Sequence, residues 1–165
     1  MVEIKAKLKI PRSAYRLQVK GQLRLPFASR RKGRLETRLV SGEEVTLRLP
    51  LGEVLRGGDL VTASDGRVIE VIAQTEKLMN VVCASAAQLA RTAWQLGCEH
   101  VPTEIAEGFL RVAADSALAD KLRKSGATVT QVEAPFEPEV EAGAPHAHSH
   151  DHGHGDHDHG HRHKH

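Results

Sequence analysis

Between Glu76 and Ala134 the chain reads EKLMNVVCASAAQLARTAWQLGCEHVPTEIAEGFLRVAADSALADKLRKSGATVTQVEA. The hydrophobic period switches along it between the two of a strand and the ~3.6 of a helix. Leu78–Ala84 is an apolar run of strand length. Ser85 follows as a helix N-cap, with Gln88 at the third helical position, the pairing of a capping box. Leu89, Ala93 and Leu96 then recur at helical spacing, and Gly97 is expected to end the helix where a left-handed residue is favoured. Glu104–Glu107 and Phe109–Ala113 flank Gly108 and can pair as strands. Asp115 is a second N-cap, Leu118 and Leu122 share a helix face, and Lys121, Arg123 and Lys124 lie where cations suit the helix dipole. Gly126 stops that helix, and Val129–Val132 supplies a last strand. Strand, helix, strand, strand, helix, strand is the order of a ferredoxin-like βαββαβ domain. Helices on one sheet face leave the other needing cover, from a second subunit or a neighbouring domain.

Upstream the pattern is β. Glu36–Val40 and Val45–Leu49 alternate on either side of Ser41-Gly42. Leu60–Ala63 and Val68–Ile72 flank Asp65-Gly66, a strong hairpin signal. Strands this short suggest a small open barrel or sandwich. The expected fold is therefore α+β, with a small all-β N-terminal domain (1–74), the βαββαβ domain (75–135), and a linker and tail (136–165). The basic run Arg30-Arg31-Lys32-Gly33-Arg34 reads as a solvated connection, with a docking surface for an acidic partner as the alternative.

The composition narrows the function classes. In 165 residues the formal charge is only +2, too balanced to argue for nucleic acid. The N-terminus lacks the apolar core of a signal peptide. No window approaches the ~20 apolar residues that cross a bilayer. Cys83 and Cys98 do not make a disulfide framework. A cytoplasmic, reduced protein is expected.

Downstream, Pro135, Pro138 and Pro145 lie among Glu137, Glu139 and Glu141, which is linker composition. Ten of the chain's eleven histidines follow it: His146, His148, His150, His152, His154, His157, His159, His161, His163 and His165. Nothing among them is large and apolar, so the tail is expected to be disordered when free. Neutral imidazoles spaced mostly two apart can share one ion, and Asp151, Asp156 and Asp158 can add oxygens. Nickel, zinc, copper and cobalt all suit such ligands, and composition does not choose among them. A dense, degenerate run suits collection or storage better than catalysis. A purification tag is the competing explanation, although tags are usually uninterrupted.

The remaining histidine, His100, stands just past the first helix of the second domain. Alone it reads as an ordinary turn histidine. A two-fold axis near this loop would instead set two copies face to face, able to grip one ion between subunits. Cys98 reads as a small half-buried thiol. In an extended stretch it would point the same way as His100 and add a thiolate. Cys83 reads as core.

These residues together resemble the urease accessory protein E family, from about Arg30 to Phe136 and into a His-rich tail. The resemblance rests on Gly57-Gly58-Asp59-Leu60, then Gly66 and Val68, then Val71-Ile72-Ala73 with Glu76. Its clearest element is Ala93-Trp94-Gln95-Leu96-Gly97-Cys98-Glu99-His100-Val101-Pro102. The family usually has Ala-Tyr-His-Leu-Gly-Asn-Arg-His at the first eight places. Gln95, Cys98 and Glu99 therefore depart from it, while His100 falls on its interfacial metal-binding histidine. The resemblance implies a homodimer joined through the second domain with nickel at the junction. It also implies transfer of nickel to the urease accessory GTPase and the urease assembly complex, with no chemistry on a substrate. The competing expectations are a metal buffer without a delivery partner, an adaptor working through the β domain, and a metal-dependent enzyme with Glu99 as its acid or base.

Overall fold

A computed structural model describes residues 2–8 and 18–139. Among them the order is β1 (Val2–Lys7), β2 (Val19–Leu25), α1 (Phe27–Arg30), β3 (Arg34–Arg38), β4 (Glu44–Arg48), β5 (Leu60–Ala63), β6 (Val68–Ala73), β7 (Thr75–Val82), α2 (Ala86–Cys98), β8 (Thr103–Ala106), β9 (Phe109–Ala113), α3 (Ser116–Lys124) and β10 (Thr128–Pro135). The N-terminal region is β-rich and the C-terminal region is an α/β domain.

The first six strands form one sheet in the order β2-β6-β5-β1-β4-β3. Both hairpins read from the sequence are present, β3 with β4 and β5 with β6. Strands β1 and β2 were not among the sequence readings. Their partners are distant, β1 with β4 in parallel and β5 antiparallel, and β2 with β6 in parallel, so no turn marks the pairing. Ile4, Leu23, Leu47, Val61, Ile69 and Val71 are buried together as the core of this sheet.

The second sheet has the order β10-β7-β9-β8, with α2 after β7 and α3 after β9. Strand β10 is longer than its sequence reading and pairs with β7 from Thr128↔Val82 to Pro135↔Thr75. Strand alternation assigns the faces. Met79, Val81, Leu110 and Val112 pack with Leu96 of α2 and with Ala119 and Leu122 of α3. Leu78 points the other way, into a small cluster with Phe27 of α1 and Phe136. Part of the second sheet face is thus covered by the N-terminal region, the neighbouring-domain alternative anticipated above.

Both long helices begin on the caps expected. Ser85 Oγ accepts from Gln88 N at 3.2 Å, and Asp115 Oδ1 accepts from Leu118 N at 2.7 Å. Gln88 completes the first cap by accepting from Ala84 N at 3.1 Å. Helix α3 closes in a Schellman motif: Gly126 N donates to Arg123 O at 2.9 Å and Ala127 N to Leu122 O at 3.1 Å. Gly126 has φ 88°, and a Cβ there would stand 3.3 Å from Gln88 Nε2. Gly126→Ala is expected to destabilise the chain by about 1–2 kcal/mol, read as a lower midpoint in urea unfolding with an unchanged slope.

Candidate metal centre

Helix α2 ends in the same bond pattern as α3 but with a different residue at the turn. His100 N donates to Gly97 O at 3.0 Å, and Val101 N donates to Leu96 O at 2.9 Å. His100 therefore occupies the place that Gly126 fills in α3, at φ 55°. It is the only non-glycine residue with positive φ among the described residues. Gly97, expected to end the helix, lies inside it, and the left-handed turn comes three residues later. A Cβ in this region costs roughly 1–2 kcal/mol, so the position opposes the residue that holds it. Val101 packs against the Leu96 cluster and anchors the turn from beyond. The His100 side chain stands exposed at the helix end.

Cys98 is the last residue of α2 and is exposed. The stretch from Cys98 to His100 is a helix end followed by a left-handed turn, not an extended segment. The alternation that would have aligned the two side chains does not operate here. Cys83, read as core, is half-buried, with Sγ 3.7 Å from Thr92 Oγ1.

Glu99 is not a free carboxylate. Lys121 Nζ of α3 bonds its Oε1, and Gln95 Nε2 donates to the same oxygen at 3.2 Å. These bonds, Lys121's first, hold its pKa below the usual value. The reversed charge beside His100 is thereby largely balanced by a partner on α3, a pairing with no local sequence signal.

The outward face of α2 is uncovered. Ala87, Ala90, Arg91, Trp94 and Cys98 lie along it, all exposed, with Trp94 at 73%. Ile105 on edge strand β8 shares the helix side of the sheet, by its pairing with Leu110, yet remains 57% exposed. Among the described residues no group of three or more His, Cys, Asp or Glu side chains could hold a metal. His100 belongs to no such group within one chain. His146 to His165 lie outside the described residues.

The basic run needs a correction. Arg30 is not solvated: its side chain is fully buried. Nη1 donates to Leu55 O at 3.0 Å and to Glu137 Oε1 at 2.9 Å, and Nη2 donates to Phe136 O. The neighbouring Arg31 is exposed, with its guanidinium 5.9 Å from the Phe27 ring centre. Sequence reasoning missed this joint. The available signal was the scarcity of aromatics, 3% of the chain. Phe27 and Phe136 both fall outside the expected strands, and their rings meet edge to face at 5.5 Å.

Burial pushes the pKa of Glu137 up, but bonds from Gly57 N, Arg56 and Arg30 outweigh it and leave the value lowered. A depressed carboxylate contributes stability above its unfolded value of 4.5 and loses it as pH falls through the folded value. Acid loosening at this joint is therefore confined to below about pH 4.5.

Comparison with known proteins adds the family context. Residues 7–74 match the model for the UreE urease accessory protein, N-terminal domain, and residues 76–165 match the one for its C-terminal domain. The urease accessory protein UreE of Nitrosospira multiformis is 46% identical over 125 residues, which cover 76% of this chain and 71% of that protein. That of Paraburkholderia xenovorans is 48% identical over 117 residues, 71% of this chain and 52% of the relative. That of Ralstonia nicotianae is 44% identical over 121 residues, 73% and 57% respectively. The chain thus spans little more than half the length of the last two relatives. Among the described residues no helix is long and apolar enough to cross a membrane.

Proposed function

The chain belongs to the UreE family of urease accessory proteins, and from that premise we propose that it is a nickel carrier for urease maturation, with His100 as its defined metal ligand. The observation that carries this reading is the backbone of His100. Two helices of one domain end in the same motif, one on the expected glycine and the other on an exposed histidine at φ 55°. Strained residues of this kind persist chiefly where function needs them. Here the turn holds an imidazole clear of the helix end.

One imidazole does not make a nickel site, so the proposal includes a homodimer through the second domain, a module of ferredoxin-like topology. The uncovered stripe of α2 ends at His100 and carries an exposed tryptophan with Ala87, Ala90, Arg91 and Cys98, a face that suits helix packing about a two-fold axis. The two His100 side chains then share one ion, and the remaining positions go to water or to tail histidines. The tail, at His146 to His165, collects ions; Cys98 is an optional soft ligand at the edge. The ion passes to the urease accessory GTPase and from it to the urease assembly complex. No substrate chemistry is assigned to the chain.

Nickel requires neutral imidazole, so affinity falls as pH drops through the free imidazole pKa of ~6.5. Between about pH 5 and 6 nickel is expected to leave while the Glu137 joint stays closed, because that carboxylate titrates below 4.5. Nickel release and circular dichroism followed in one acid titration check this. Coincident loss of metal and fold would contradict it.

Transfer tests the delivery role. Nickel-loaded chain mixed with the GTPase should lose its metal to that partner, and the His100→Ala protein should deliver markedly less. Nickel remaining with the chain at equilibrium would make it a buffer instead.

A further inference from the structure

Residues 136–139, of linker composition, are fastened to the body along their whole length. Phe136 and Pro138 are buried. Glu137 Oε1 accepts from Arg30 Nη1 at 2.9 Å and from Gly57 N at 2.8 Å, and its Oε2 accepts from Arg56 Nη1 at 3.0 Å. Gly57 permits this approach, since a Cβ there would stand 3.1 Å from Glu137 Oε1. Glu137 N donates to Glu104 Oε2 at 2.9 Å, and Glu139 N donates to Thr103 O at 2.8 Å. Glu104 and Thr103 both belong to β8.

Topology gives these contacts their meaning. Pro135 ends β10 at one edge of the second sheet, and Thr103 begins β8 at the opposite edge. Three strand spacings, about 14 Å, separate these two edges, and the pairing sets Thr103 level with Gln131, four residues before Pro135. The chain reaches that edge between Pro135 and Glu139 and must run nearly extended to do so, since four residues reach roughly 13–14 Å. It arrives at the residue three places after His100. Without the strap, everything beyond Pro135 would leave the body from the far edge.

We propose that residues 136–139 are a positioning strap that plants the root of the histidine tail beside His100, with Arg30 and Glu137 as the buried lock. The proposal rests on the nickel-carrier reading for its purpose, though not for its test. Glu139 stands seven residues before His146, a reach of at most about 25 Å. Releasing the strap makes the tether eleven residues long and moves its origin about 14 Å away. For a flexible chain this lowers the local concentration of the first tail histidines at His100 by about fivefold. Arg30 spans both regions, since it holds Leu55 O on one side and Glu137 and Phe136 O on the other. Movement between the regions would therefore shift the origin of the tail.

Trp94 is the chain's only tryptophan and is exposed six residues before His100, about 9 Å of helix. Copper(II) carried on the tail quenches indole fluorescence at short range. One equivalent of copper is added to the full chain bearing His100→Ala, so that metal at His100 itself plays no part. The same is done after adding Glu137→Ala, after adding Glu139→Pro, and in the His100→Ala chain truncated after Ala144. Glu139→Pro removes the N–H that bonds Thr103 and keeps the test open if Glu137→Ala fails to fold. Strong quenching in the first protein, falling about fivefold in each folded strap variant and to baseline on truncation, is the expected result. Equal quenching with and without the strap bonds overturns the proposal, as does equal quenching in the truncated chain. Either failure leaves the nickel reading of His100 untouched, because His100 is absent from every protein compared.

Discussion

Replacing His100 with glycine is expected to stabilise the fold and to remove the defined nickel site in one step. The stability gain, about 1 kcal/mol, follows from φ 55° at a Schellman turn, where glycine has no Cβ to strain. The metal loss follows from the missing imidazole and should exceed the roughly 100-fold that even an outer-shell change can cause. His100→Ala separates the two effects. Alanine keeps a Cβ in the left-handed region, so it should lose the metal without the gain. Urea unfolding of the metal-free proteins and nickel titration of the same preparations check both halves. A glycine variant less stable than the parent would mean that the His100 side chain makes stabilising contacts. The strain argument for a functional histidine would then fall.

The second large effect is on stability. Arg30→Met is expected to destabilise the chain by about 3 kcal/mol, the lower end of the range for breaking a buried ion pair. The lower end applies because Glu137, at 33% side-chain exposure, can still reach water. Methionine fills much of the volume but leaves Leu55 O and Phe136 O without their charged donor. The Phe27, Leu78 and Phe136 cluster beside the joint should loosen with it. Arg31→Ala, one residue along and exposed, should stay within about 0.5 kcal/mol. Equal effects at the two positions would show that burial of Arg30 does not govern the joint.

The α/β region was largely legible because its signals are local. Ser85 with Gln88, Asp115 with Leu118, and the turns at Gly108 and Gly126 are each decided within a few residues, and each falls where the sequence puts it. The end of α2 was misread because glycine is the usual left-handed residue, and Gly97 lay close enough to claim the position. The sequence had nominated His100 through its neighbours, but its strain became visible only in the backbone. The early strands were missed for another reason. Val2–Lys7 and Val19–Leu25 pair with partners far along the chain, and no turn signals such a pairing. The Arg30–Glu137 joint is more remote still, with more than a hundred residues between its partners. A charged run and a proline-rich stretch both carry the composition of solvated chain, and only tertiary packing brings them together. The histidines from His146 to His165 rest on composition alone.

His100, in a pair of chains, is proposed as a nickel site distinct from the tail. Nickel calorimetry on the chain truncated after Ala144, beside the same chain carrying His100→Gly, tests it most directly. One nickel for every two truncated chains, and no measurable binding by the folded glycine variant, is the expected result. Truncated chains that bind no nickel, or that bind it equally with glycine at position 100, would contradict it.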